Sequence, residues 1–96
     1  MYEVKFSSKA KKYINKIKDK NLKIKFIDII FDKIATNPFD AGEIKKGDLV
    51  NIYSTGFNYN GISYRISYKV NNNKIVLILI VGSHENFYNE LKRYIK

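Results

Sequence analysis

Three side chains in the second half of the chain have types and spacings suited to work on a phosphodiester: Arg65, His84 and Tyr88. An arginine grips a phosphate through two parallel hydrogen bonds and stabilises the charge that grows as a transition state forms. A histidine gives or takes a proton near neutral pH. A tyrosine stacks on a base or donates a hydrogen bond. His84 and Tyr88 are four residues apart, which on a helical turn sets both on one face. RNA brings its own nucleophile, the 2′-hydroxyl, so such a set needs none from the protein. Lys45 and Lys46 could hold flanking phosphates. Each residue also has a plainer use. The sole histidine of a chain is commonly a surface or capping group, Arg65 could shield a sheet face or pair with an acid, and most tyrosines serve a core. The sequence has no Cys/His cluster, glycine-rich phosphate loop or Ser/His/Asp order, and His84-Glu85 has no second histidine beside it. Neither a metal nor a cofactor is expected.

The elements that must position these groups can be read from periodicity. Tyr2, Val4 and Phe6 alternate, which predicts a short strand over 2–6. Ser7 or Ser8 can cap a helix that carries Ala10, Tyr13, Ile14 and Ile17 at helical spacing. A second helix is expected from Asn21 to Ala35, with apolar residues on more than one face, and Asn37-Pro38 stops it. Phe39 to Gly47 reads as a loop. Three strands are predicted over about 48–56, 62–70 and 74–82. Gly56 to Gly61 is read as one turn and Asn71–Asn73 as another. In the third of the four strands Tyr64, Ile66, Tyr68 and Val70 share one face, while Arg65, Ser67 and Lys69 share the other. Ile75 to Val81 is unbroken and apolar, the pattern of a central strand, and a third short helix is expected over about 86–95. The fold class is therefore α+β: a small antiparallel meander sheet, joined by strand 2–6. Two N-terminal helices pack on one face through Ile14, Ile17, Phe26 and Ile30, with a short C-terminal helix after the sheet. The other face is left open. If the last two strands pair through the asparagine turn, Arg65 and His84 come to one end of the sheet.

One domain is expected over 1–96. The chain lacks cysteine, so disulfides and thiolate ligands contribute nothing. The start of the chain lacks a signal-peptide stretch, and the longest apolar run, Ile75 to Val81, is too short to span a bilayer. Eighteen Lys and Arg against nine Asp and Glu give a net charge of +9, which attracts polyanions. Nucleic acid, an anionic membrane face and an acidic protein all fit that charge. Part of the lysine content also fits the Lys, Asn and Ile bias of an AT-rich genome.

The segment Tyr64-Arg65-Ile66-Ser67-Tyr68-Lys69-Val70, the asparagine turn after it, and the run Val81-Gly82-Ser83-His84-Glu85-Asn86-Phe87-Tyr88 resemble the RelE/ParE toxin superfamily. The opening strand, the two helices and the Asn37-Pro38-Phe39 break fit the same pattern. The resemblance spans nearly the whole chain. It implies a cytoplasmic toxin of a type II toxin–antitoxin system, with an acidic cognate antitoxin as partner and no membrane or metal involved. Members resembling RelE bind the ribosomal A site and cut messenger RNA there, which inhibits translation. On that resemblance Arg65 takes the place of a phosphate-binding arginine. His84 falls where members carry a group for proton transfer or charge stabilisation. Tyr88 matches a late tyrosine that stacks on the base, and Lys45 falls near a basic loop position. RelE carries lysines on the second strand, whereas Val50-Asn51-Ile52-Tyr53 has none, so the general base is open. Glu43, on a loop where some relatives use a glutamate, is a candidate. The ParE branch shares the fold, lacks the nuclease residues and poisons DNA gyrase. The two functions separate only at the site. His84 and Tyr88 favour the nuclease. A degenerate member that only binds an antitoxin is the third reading.

Overall fold

A computed structural model describes residues 1–44 and 51–84, together with Leu91 and Arg93. Its elements run β1 (Glu3–Phe6), α1 (Ser8–Lys16), α2 (Lys20–Asp28), a π-helical continuation (Ile29–Ile34), α3 (Pro38–Ala41), β2 (Glu43–Ile44), β3 (Tyr53–Tyr59), β4 (Ile62–Asn71) and β5 (Ile75–Ser83). They form one sheet in the order β1-β5-β4-β3-β2. β1 pairs with β5 in parallel, and every other pairing is antiparallel, so the meander gains a parallel outer strand.

Capping chemistry sets the helix starts. Ser7 accepts from the Ala10 N–H at 3.0 Å, and Asp19 accepts from the N–H groups of Asn21 and Leu22. Pro38 opens α3, where its missing N–H costs nothing. The span expected to be a loop after Asn37 thus contains a helical turn and the two-residue strand β2. The second helix ends as expected, but its last six residues widen into a π-helix. Hairpin turns follow from asparagine and glycine. Asn60 and Gly61 have φ of 51° and 76°, and Asn72 and Asn73 have φ of 54° and 55°. Both pairs meet the left-handed requirement of a type I′ connection. The expectation that Gly56 to Gly61 is all turn is corrected here. β3 continues to Tyr59 because Gly56, Phe57 and Asn58 pair with Arg65, Tyr64 and Ser63, which confines the turn to two residues. The predicted strand start at 48 lies outside the described residues, and Asn51 and Ile52 precede β3 without being in it.

β5 is interior but not central; β4 is the middle strand of the five. The apolar continuity of β5 has a specific cause. The β4–β5 register shifts between Ser67 and Tyr68: Tyr68 pairs with Ile78, whereas Ser67 pairs with Ile80. Leu79 is the extra residue of a β-bulge. Val76, Ile78 and Val81 therefore join the helix-side core, while Leu79 and Ile80 both turn to the opposite face. Two side chains hold the bulge. The Ser67 hydroxyl lies 3.2 Å from both the N–H and the carbonyl of Ile80, and the Ser7 hydroxyl donates to the Leu79 carbonyl.

On the helix side, Ala10, Ile14, Leu22, Phe26 and Ile30 pack against Tyr64, Ile66, Tyr68, Val76 and Ile78, with Ile17 at the margin. Phe26 is the hub: its ring meets those of Tyr13, Phe57 and Tyr64 edge-on. The opposite face is not open throughout, as the meander alone implied. Ile52, Leu79, Ile80 and Leu91 form a second buried cluster there. Leu91 and Arg93 are helical; the rest of the expected helix over 86–95 lies outside the described residues.

Ser7 caps α1 and satisfies the bulge carbonyl at once, so Ser7→Ala should cost about 2 kcal/mol, a lost cap plus a stranded buried acceptor. Ser8→Ala, at an exposed neighbour, should cost less than about 0.5 kcal/mol. Urea unfolding of both variants measures this, and equal losses would contradict the double role of Ser7.

Candidate functional site

A polar cleft of about 570 Å³ lies between the α3–β2 segment and strands β3 and β4. Its walls include Asp40, Glu43, Ser54, Gly56, Ser63 and Arg65. Register explains the arrangement. Glu43 pairs with Ser54, Ser54 with Ser67, and Gly56 with Arg65. Residues directly opposite in antiparallel strands share a face, so Glu43, Ser54 and Ser67 line up beside the Gly56–Arg65 pair. Tyr64 and Ile66, on either side of Arg65, point into the helical core, which sends Arg65 to the face away from α1 and α2.

Arg65 is half-buried, and its Nε and Nη2 each lie 3.4 Å from the buried Ser54 hydroxyl. Contacts this long orient the guanidinium more than they bind it. Gly56 makes the position possible. A Cβ there would stand 3.1 Å from Arg65 Nη1 and 2.8 Å from the Tyr64 carbonyl oxygen. The fork thus lies over bare backbone, with Ser54 at its base and Glu43 across the same cleft.

His84 follows the last residue of β5. Its N–H donates to the Ser63 carbonyl at 2.7 Å, one step beyond the Tyr64–Ser83 pair. Opposite Ser63, it takes the face of Arg65, one diagonal position away, a separation of about 7–8 Å between backbones. Its side chain is exposed. Arg65 and His84 are therefore brought to one end of the sheet, as the asparagine hairpin implied. Tyr88, Lys45 and Lys46 lie outside the described residues.

Tyr68 supports the cleft from below. Its buried hydroxyl donates to the Pro38 carbonyl at 2.7 Å, and its ring stacks on Tyr53 at 5.6 Å. A Cβ on Gly42 would stand 2.6 Å from that hydroxyl and 2.8 Å from the Ser54 carbonyl oxygen. Tyr68 thus ties the turn before Glu43 to the middle strand, and Gly42 lets the chain pass between them. Burial, together with the neighbouring Tyr53, raises the Tyr68 phenol well above its usual value of 10.0. Tyr68 was legible in the sequence as a core tyrosine, but its bond to Pro38 was not. Ser54 and Gly56 were missed as site residues, because their importance appears only once β3 is paired against Arg65. Among the described residues no group of three or more His, Cys, Asp or Glu could hold a metal ion.

The mixed five-stranded sheet with a helical hairpin on one face matches the fold of solved RelE toxins. Residues 4–92 match the profile of the ParE-like toxins of type II bacterial toxin–antitoxin systems. The chain belongs to that family. Among solved structures it is similar to the toxin–antitoxin complex RelBE2 of Mycobacterium tuberculosis. There the TM-score is 0.74 at 20% identity, over 86% of this chain and 98% of that one. It is also similar to the isolated RelE toxin of E. coli, with TM-score 0.68 and 20% identity over 97% of this chain and 98% of that one. A third likeness is to the conserved hypothetical protein HP0894 of Helicobacter pylori, with TM-score 0.55 and 16% identity over 88% of this chain and 97% of that one. No curated protein matches the sequence.

Tyr68→Phe should remove the hydroxyl that carries the bond to Pro38 while keeping the ring. A loss of about 1–2 kcal/mol is expected in urea unfolding at neutral pH. The pH dependence has a definite sign. A phenol with a raised folded-state pKa gives stability that is present below its unfolded value of 10.0 and lost as pH rises above it. The wild type should therefore weaken faster than Tyr68→Phe above about pH 10. Parallel decline of the two proteins would show that the phenol proton is not held by the fold.

Proposed function

We propose that this toxin is an endoribonuclease that cuts messenger RNA on the ribosome in the cytoplasm and so stops translation. The observation that carries the reading is the Arg65 guanidinium, set over Gly56 on Ser54, with Glu43 across the same cleft and His84 one diagonal step away. The 2′-hydroxyl of the substrate attacks the adjacent phosphorus, and Glu43 takes its proton. Arg65 stabilises the extra negative charge on the phosphorane-like oxygens. The bond to the 5′-oxygen breaks, and His84 in its protonated form delivers a proton to that oxygen. The products are a 2′,3′-cyclic phosphate and a free 5′-hydroxyl. Tyr88 stacks on the base, and Lys45 and Lys46 hold flanking phosphates. An acidic antitoxin that folds on binding neutralises the +9 surface, covering Arg65 or displacing the helix expected over 86–95.

The second reading is a gyrase poison without nuclease activity. The match to the ParE-like profile favours it. Induced expression followed by mapping of RNA 5′ ends separates the two. Codon-phased cuts support the nuclease, whereas gyrase-trapped DNA breaks with intact message support the poison.

With purified protein and ribosome-bound message, Arg65→Ala and His84→Ala should each slow cleavage about a hundredfold to a thousandfold with unchanged circular dichroism. Glu43→Gln should slow it as well. Tyr88→Phe should be milder than Tyr88→Ala, since stacking survives loss of the hydroxyl. Full toxicity of both Arg65→Ala and His84→Ala would end the nuclease reading.

A further inference from the structure

The outer margin of β5 changes neighbours partway along. β1 pairs with it from Ile75 to Ile78 and no further. Beyond that point, among the described residues, helix α1 takes over. The Ser7 N–H donates to the Ile78 carbonyl, and the Ser7 hydroxyl to the Leu79 carbonyl. Further along the helix, half-buried Tyr13 reaches the far end of the strand. A Cβ on Gly82 would stand 3.7 Å from Tyr13 Cε2 and 3.9 Å from its Cζ, so the ring lies close against the strand end. Phe26 backs that ring edge-on, with centroids 6.1 Å apart. Strand alternation fixes what the hydroxyl meets. The His84 N–H points to the Ser63 carbonyl on β4, so the Ser83 N–H, one residue earlier, points to the opposite margin. The Tyr13 hydroxyl accepts a hydrogen bond from it there. No strand satisfies that N–H, and a backbone donor at a partly covered margin needs such a partner.

We propose that Tyr13 is a positioning residue for His84: its hydroxyl anchors the Ser83 backbone and so fixes the direction in which β5 delivers the histidine beside Arg65. The inference rests on the nuclease reading given above and extends it to a residue outside the cleft, which Tyr13 does not line. His84 sits where the sheet ends, and strand ends are the first parts of a sheet to open. With Tyr13 on one margin and Ser63 on the other, the backbone on either side of the Ser83–His84 peptide is tied down. A proton donor must come within hydrogen-bond reach of the leaving oxygen, and a misplacement of about 1 Å costs about a hundredfold in rate. Burial, with the neighbouring Tyr64, raises the Tyr13 phenol above its usual value of 10.0. The group is therefore a neutral hydroxyl wherever a histidine titrates, and Tyr13→Phe removes a hydrogen bond without removing a charge. It also keeps the ring against Phe26 and Gly82, which separates the role of the hydroxyl from that of packing.

Two measurements on the full chain test this, one of them independent of activity. Amide hydrogen exchange at Ser83 and His84 should be about tenfold or more faster in Tyr13→Phe than in the wild type, while exchange at Ile78, deep in the sheet, stays the same. On ribosome-bound message, Tyr13→Phe should lower kcat about tenfold with little change in KM. The same substitution made in a His84→Ala background should cost nothing further, because the group it positions is gone. Three results would each overturn the proposal. Equal exchange at Ser83 in the two proteins would show that the hydroxyl does not hold the strand end. A loss confined to KM, or an equal loss of kcat with and without His84, would show that Tyr13 acts on something other than the histidine. Faster exchange at Ile78 as well would mean a general loosening of the fold, and would also count against a local anchor. A wild type that cuts no message ends the nuclease reading, and exchange at Ser83 still decides whether Tyr13 anchors the strand.

Discussion

One inserted residue in β5 governs which groups can meet. Without Leu79 as a bulge, the β4–β5 register below Tyr68 would continue upward unchanged. Residue 84 would then oppose Ile62 and fall on the face of Tyr64, towards the helices. With the bulge, the alternation inverts, and His84 joins the face of Arg65. The same inversion lets an unbroken apolar run serve two cores, with Ile78 and Val81 facing one and Leu79 and Ile80 the other. The hydroxyls of Ser7 and Ser67 make the inversion tolerable by satisfying the carbonyls of Leu79 and Ile80. Two small polar side chains, both buried, therefore stand behind the geometry of the candidate site.

The cleft depends on a comparable economy. The Tyr68 hydroxyl reaches through the sheet margin to the Pro38 carbonyl, fixing the turn that presents Glu43. Gly42 and Gly56 supply close approach where any side chain would push the walls apart. On the nuclease reading proposed above, the protein's contribution is placement and charge, since RNA brings the nucleophile. One fold can serve both a nuclease and a non-enzymatic toxin, because function rests on the site and not on the scaffold.

Much of this architecture was legible from periodicity. Alternation in Tyr64 to Val70 assigned Arg65 to the face away from the helices, and the asparagine turn brought His84 to its end of the sheet. What was hidden required pairing. The bulge is invisible in Ile75 to Val81, because a run apolar at every position carries no phase. Gly56 and Asn60-Gly61 look alike as turn formers, yet only the second pair turns; Gly56 is a platform beneath a guanidinium. The parallel placement of β1 depends on where α1 and α2 return the chain, which no local pattern encodes. The second helix carries apolar residues on more than one face, as its sequence reads, and Leu22, Phe26 and Ile30 are the ones buried against the sheet, while Ile24 and Phe31 stay exposed.

The outermost strand β1 is short, with four residues, and Glu3 and Lys5 on it are exposed. A row of unpaired backbone groups at a sheet margin invites strands from other molecules, and brevity with charge is how soluble proteins discourage it. For an isoleucine-rich protein the effect is colloidal. At the β1 margin the chain offers little β-template to neighbouring molecules, which disfavours stacking of copies into fibres there.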